Sequence, residues 1–353
     1  MKKWLSIILL IFLCSACGTR FTKQEVGGCS VLNVYNWGEY IGEDVISHFE
    51  RQYGVRVNYS LFASNEEMYT KLLGGTSYDV IVPSDYMIER MIAEDMLWKL
   101  DKSVLTNLTN LYPGTLQKAY DPDNVYSVPY FWGNVGIVYD KTIIQPADVQ
   151  REGWNVLKNP KYKDKIYMYD SERDSFMIAL KALGYSMNTQ REEELQQAYE
   201  WLSELHQTMN PAYVTDEAID GLIYGEKAMG VMYSGDAAYI LGENKNMQYY
   251  VPESGTNIWT DAMVIPKNAR CPALAHEYIN YILSYEASLD NSLTVGYASS
   301  NKEVVEELST DGGEYEGNAA YLPRSGYAQD EVYSTHEEVR KLISELWVKV
   351  KNQ

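Results

Sequence analysis

Between Val31 and Tyr86 the hydrophobic period of the chain switches repeatedly between two residues and about 3.6, and that alternation narrows the architecture more than any other feature. Val31-Leu32-Asn33-Val34-Tyr35 predicts a strand, and Trp37-Gly38-Glu39-Tyr40 a loop. Val45, Ile46, Phe49 and Tyr53 then share one helical face, stopped at Gly54. Arg56 to Phe62 returns as a strand, Ser64 and Glu67 form a capping box for a helix ending at Gly74-Gly75, and Tyr78 to Val82 is again a strand leading into a helix at Tyr86. Strand and helix in alternation mean an α/β sheet covered by helices. The pattern resumes with strands at Val135–Tyr139, Ala228–Tyr233 and Ile258–Ile265. Helices are expected near Phe176–Leu183, Glu192–Gln207, Asp216–Lys227, Pro272–Ser284 and Thr335–Val350. At 353 residues the economical solution is two α/β lobes. Gly133-Asn134-Val135-Gly136 is not a dinucleotide fingerprint, because it precedes a strand instead of following one.

Charge excludes a second set of readings. Thirty Lys+Arg against 49 Asp+Glu give a net −19, a field that repels phosphate backbones and draws in cations. Nucleic acid is therefore not an expected partner. Tyrosine outnumbers phenylalanine 31 to 6, and tyrosine lines wet clefts better than dry cores.

The N-terminus reads as an export signal. Lys2 and Lys3 precede an apolar run from Trp4 to Leu13, too short to span a bilayer as a mature helix, and Ser15-Ala16-Cys17 follows. The ending resembles a bacterial lipobox, although Cys14 stands where leucine is usual. Residues 1–16 are thus expected to be a lipoprotein signal peptide, Cys17 the lipidated residue, and residues 17–30 a tether ending in Gly27-Gly28. Losing the two lysines leaves −21. Cys29 and Cys271 then remain, free to pair outside the cell if the fold brings them together. Once residues 1–16 are removed no CxxC is left, and His48, His206, His276 and His336 have no partners at ligand spacing, so no metal site is expected.

The chemically interesting residues gather where strands should end. Trp37, Gly38, Glu39 and Tyr40 follow the first strand; Ser84, Asp85 and Tyr86 follow the third. Tyr233 and Asp236 follow another, and Trp259 and Asp261 open a further one. Ligands of open α/β sheets collect at carboxyl ends of strands. An aromatic face beside a carboxylate suits an organic ammonium, through cation–π attraction and a charge-assisted hydrogen bond. Taken singly, each ring reads as core and each Asp as a helix cap; their recurrence at successive strand ends favours a cation cleft. A glycosidase pair of acids cannot be told from the many other carboxylates, and neither GxSxG nor GxxxxGK[ST] occurs.

These clusters resemble the polyamine-binding proteins of spermidine/putrescine ABC importers, the PotD-like group of periplasmic-type binding proteins. The resemblance rests on YNWGEY (35–40), SNEEMYTKL (64–72), YDVIVPSDY (78–86), DKSVLTNL (101–108), YSVPYFWG (126–133), IWTDAMVIP (258–266) and VGYASSN (295–301). It implies the type II two-lobe binding-protein fold, with a ligand cleft between lobes joined by hinge strands. Lobe 1 is then expected at 31–138 and 260–308, and lobe 2 at 139–259 and 309–353. It further implies that Trp37, Gly38, Glu39, Tyr40, Ser84, Asp85, Tyr86, Ser171, Asp174, Tyr233, Asp236, Trp259, Asp261 and Tyr297 contact a polyamine. Gly38 lacks the hydroxyl common in the family, and Ser171 stands where spermidine binders carry an Asp. Asp236 is a candidate to replace that charge. The implied activity is non-enzymatic capture of spermidine or putrescine outside the cell by a lipid-anchored monomer, without cofactor, and delivery to an ABC permease. The alternatives are the same fold serving a sugar, thiamine or a metal, or an extracellular glycoside hydrolase.

Overall fold

The computed structural model describes residues 26–334 and 336–353; the expected signal peptide, Cys17, the expected tether up to residue 25 and Thr335 lie outside the described residues. The first third follows the alternation: β1 (Val31–Trp37), α1 (Val45–Tyr53), β2 (Arg56–Phe62), α2 (Asn65–Leu73), β3 (Val80–Ile81) and α3 (Asp85–Ala93). Val45 and Phe49 are the buried stripe of α1, and Gly54 closes that helix in the left-handed region at φ 66°. Ser64 caps α2 by accepting from the Glu67 N–H at 3.1 Å. The reciprocal arm differs from the expected box, since Glu67 reaches the N–H of Ala63 instead of that of Ser64.

β4 (Ser127–Asp140) is the pivot of the sheet. Every residue from Ser127 to Tyr139 is buried, so the strand shows no polar alternation, and only its second half is legible in sequence. Its missing N–H at Pro129 falls where the pairing register shifts. The Gly133–Gly136 stretch lies inside this strand, not before it. After it come α4 (Pro146–Glu152), β5 (Ile166–Tyr169), α5 (Glu172–Ala182), α6 (Glu192–Met209), β6 (Ala212–Val214), α7 (Glu217–Ile223), β7 (Met229–Tyr233), α8 (Ser234–Glu243) and β8 (Met247–Tyr250). The chain finishes with β9 (Ile258–Val264), α9 (Pro272–Ile282), α10 (Tyr285–Val295), β10 (Ala298–Ser299), α11 (Lys302–Ser309) and α12 (Glu337–Lys351).

The sheet order is β2-β1-β3-β9-β4-β7-β5-β6, with β8 and β10 also on β4. Residues 127–134 of β4 pair antiparallel with β9, whereas residues 135–140 pair with β7 on one side and β8 on the other. One strand therefore belongs to both halves. The cores divide in the same way: Leu32, Phe49 and Tyr278 pack in one cluster, and Ile137, Phe176, Leu202 and Trp347 in another. The fold is mixed α/β, with a curled sheet and two lobes. Cys29 and Cys271 are joined, at a Cα separation of 6.0 Å, which fastens the start of the fold to the residue before α9.

Candidate ligand cleft

β1, β3, β5 and β7 end at one place. A cleft of about 2260 Å³ lies there, lined from the first half by Trp37, Gly38, Glu39, Tyr40, Ser84, Asp85, Tyr86, Trp259, Asp261 and Tyr297. Ser171, Asp174, Tyr233 and Asp236 line it from the second. All of the sequence-expected contact residues thus face one cavity, although their roles differ.

Trp259 is the floor. It approaches β4 so closely that a side chain at Gly133 would place its Cβ 2.3 Å from the indole. Tyr297 meets it edge-on at 5.1 Å between ring centroids, and Tyr233, also edge-on, at 6.2 Å. The Tyr297 ring needs Gly235 in turn, because a Cβ there would sit 2.4 Å from it. Trp37 forms one wall: its indole N–H donates to the Val82 carbonyl at 2.9 Å, and its ring rests on Phe62. Glu39, at φ 50°, turns the short loop that lets Trp37 and Tyr40 both face inward. Gly38 and Glu39 themselves are exposed at the rim, and a Cβ at Gly38 would meet only open space.

Three carboxylates in the cleft each accept a hydrogen bond from a tyrosine. The Tyr40 hydroxyl donates to Asp261 at 2.8 Å, and Ser84 bonds the same carboxyl. The Tyr233 hydroxyl donates to Asp174 at 2.7 Å. The hydroxyls of Tyr169 and Tyr297 donate to Asp236 at 3.1 and 3.3 Å. Burial holds the hydroxyls of Tyr40, Tyr233 and Tyr297 protonated by raising their pKa well above the usual value, so they serve as neutral donors. Burial likewise pushes Asp261 and Asp236 up to about 6, against the hydrogen bonds that favour their charged forms. Both acids are thus poorly solvated and would be stabilised by a cation.

Two expected contacts are engaged within the protein. Asp85 accepts from the N–H groups of Tyr86 and Thr260, at 2.7 and 3.2 Å, pinning the start of α3 to β9. Burial raises it to about 7. Ser171 is the N-cap of α5; its hydroxyl accepts from the Asp174 N–H and donates to the Asp174 carboxylate at 2.7 Å. It positions Asp174. The neighbouring Asp170 pairs with Lys351 of α12 at 2.8 Å, so it is not a spare cleft charge.

Sequence reasoning missed several residues here. Tyr169 ends β5 and holds Asp236, a position that strand-end logic could have reached. Asn65 bonds both Ser84, at 3.1 Å, and the Tyr86 hydroxyl, at 3.0 Å. Arg173 places its guanidinium 3.6 Å from the Tyr86 ring centroid and 5.1 Å from that of Tyr333, crossing between the halves. Tyr333 comes from an irregular segment, and nothing local in the sequence marks it.

The profile of the bacterial extracellular solute-binding proteins matches residues 44–320. The chain belongs to that family. A spermidine/putrescine-binding periplasmic protein of Salmonella typhimurium is 34% identical over 303 residues, 85% of each chain. Among solved structures, a putative spermidine/putrescine ABC transporter protein from Listeria monocytogenes superposes with a TM-score of 0.82 at 37% identity, covering 92% of this chain and 99% of that one. The substrate-binding protein of a spermidine/putrescine ABC transporter from Streptococcus pneumoniae gives a TM-score of 0.80 at 36% identity, with the same coverage. The family binds solutes outside the cytoplasm for transport, and no helix among the described residues is long and apolar enough to cross a membrane.

Proposed function

We propose that this solute-binding protein captures a linear polyamine, spermidine or putrescine, between its lobes and delivers it to the permease of an ABC importer. The observation that carries the reading is the set of three carboxylates, Asp174, Asp236 and Asp261, each held by a tyrosine hydroxyl around the Trp259 face. Among the described residues no three His, Cys, Asp or Glu side chains converge on one point. The acids are instead spread along the cleft, which suits ammonium groups met one at a time along a flexible chain. Aromatic rings between them cover the methylenes and strengthen each charge pair by excluding water. The relatives named for spermidine and putrescine support the same choice.

In this reading β4 and the segments beside β9 are the hinge, with lobe 1 at 31–138 and 260–308 and lobe 2 at 139–259 and 309–353. The mature chain is a monomer held to the membrane by a lipid on Cys17, which fits its position after the signal-like run. Titration calorimetry of the mature protein with putrescine and spermidine tests the function. Saturable binding without consumption of ligand is expected, and no heat with either ligand would remove the proposal. Cys17→Ala should move the protein from the membrane fraction to the medium; retention on the membrane would reject the anchor.

A further inference from the structure

Asn257 lines the cleft, is 3% exposed, and carries a side-chain oxygen with no hydrogen-bond partner. The cleft carboxylates are engaged by tyrosine hydroxyls, and the Tyr249 hydroxyl donates to Asn134 at 2.7 Å. A buried amide oxygen left unpaired is unfavourable, and an apolar side chain of similar size would avoid that cost. The backbone at this point does not need the amide either. Ile258 donates to the Glu331 carbonyl at 2.8 Å, and Glu331 donates to that of Thr256 at 2.9 Å, which fixes both flanks of residue 257. Glu331 is itself held by Ser186 and by the Met187 N–H. The orphan oxygen therefore sits on a rigid support between the lobes.

Its placement points to a ligand. Asn257, Trp259 and Asp261 all line the cleft, whereas the intervening Ile258 and Thr260 do not. That is the two-residue period of an extended chain presenting one face. Asn257 and Asp261 lie about 13 Å apart along that face, with the Trp259 ring between them. The Trp259 indole N–H is also without a partner, but it is a donor and cannot receive an ammonium, so the Asn257 oxygen is the acceptor that this face leaves unused.

We propose that Asn257 is a ligand contact: its side-chain oxygen accepts an N–H from a polyamine nitrogen lying beyond the end held at Asp261. The row then reads a nitrogen at one end, methylenes over the indole, and a second nitrogen at the hinge. A triamine such as spermidine can supply that distant nitrogen while its other ammonium groups meet the carboxylates. A diamine anchored at Asp261 is too short to use Asn257. The residue thus favours the longer ligand, and this inference rests on the polyamine reading.

The test is calorimetry of the wild-type mature protein, Asn257→Leu and Asn257→Ser with putrescine and with spermidine, alongside thermal melts without ligand. Both variants should lose about tenfold or more in spermidine affinity, the value of one hydrogen bond to a charged donor, and less than twofold for putrescine. Asn257→Leu should melt no lower than wild type, because it removes an unpaired buried group. Equal losses for the two ligands, or an unchanged ratio, would overturn the assignment while leaving the polyamine function standing. Absence of binding by the wild type would overturn both. Should the leucine variant not fold, the serine variant carries the same comparison.

Discussion

Asp261→Asn separates the electrostatic role of the cleft from its shape. Asp261 is 7% exposed and accepts from the Tyr40 hydroxyl at 2.8 Å. Asparagine keeps the volume and one acceptor, but an ammonium bound there would lose its counter-charge in a site shielded from water. Truncating one partner of a buried charge pair costs about 2–4 kcal/mol, roughly thirty- to a thousand-fold in affinity. The empty protein should respond in the opposite direction. Burial raises the Asp261 carboxyl to about 6 from its ordinary 3.8, so the folded chain holds this proton more tightly than the unfolded one. Folding is then progressively disfavoured as pH rises from about 4 to 6, by about 3 kcal/mol at pH 7. The amide removes that penalty. Asp261→Asn should therefore bind far more weakly yet unfold at higher urea at pH 7, with the stability difference vanishing near pH 4. The same titration makes wild-type affinity fall below pH 6, about tenfold per pH unit for each carboxylate that must ionise, and Asp236 contributes alongside Asp261. Calorimetry from pH 5 to 8 and urea unfolding at pH 4 and 7 measure both arms. Binding by Asp261→Asn within threefold of wild type would refute the charge argument and shift the role to Asp174 or Asp236.

Gly133→Ala should displace the Trp259 ring, since the added Cβ falls 2.3 Å from it; a loss of about 1–3 kcal/mol in stability together with weakened polyamine binding is expected, and unchanged calorimetry would show that the ring does not form the floor. Cys29→Ser opens a bond that closes 242 residues of chain and should cost about 2–4 kcal/mol in urea unfolding. Polyamine affinity should stay the same because neither cysteine lines the cleft, so a large affinity loss would contradict that separation. Saturating polyamine should compact the protein in small-angle scattering and change the fluorescence of Trp37 and Trp259; identical scattering with and without ligand would exclude a hinge mechanism.

The sequence by itself determined the α/β class and the places where ligand chemistry gathers. Local period marks β1, α1, β2 and α2 because each element has one face toward a core and one toward water. Residues at or just past strand ends, such as Trp37, Ser84 and Tyr233, are recognisable because strand ends are where an open sheet exposes its functional loops. Tertiary structure decided the rest. β4 hides its full length because a strand buried on both faces has no alternation, and α10, β8 and β10 are too short or too mixed to declare a period. Only folding could join Cys29 to Cys271, separated by 242 positions. The division of labour among the acids is likewise three-dimensional. Asp85 turns to backbone N–H groups and Asp170 to Lys351, while Asp261 and Asp236 remain in the cleft under tyrosine hydroxyls from distant segments. Three of the four follow strand ends and Asp261 lies within β9, yet all four are aspartates that sequence alone does not tell apart. A carboxylate's role depends on which donors lie within about 3 Å of it, and those donors come from parts of the chain that no local pattern connects.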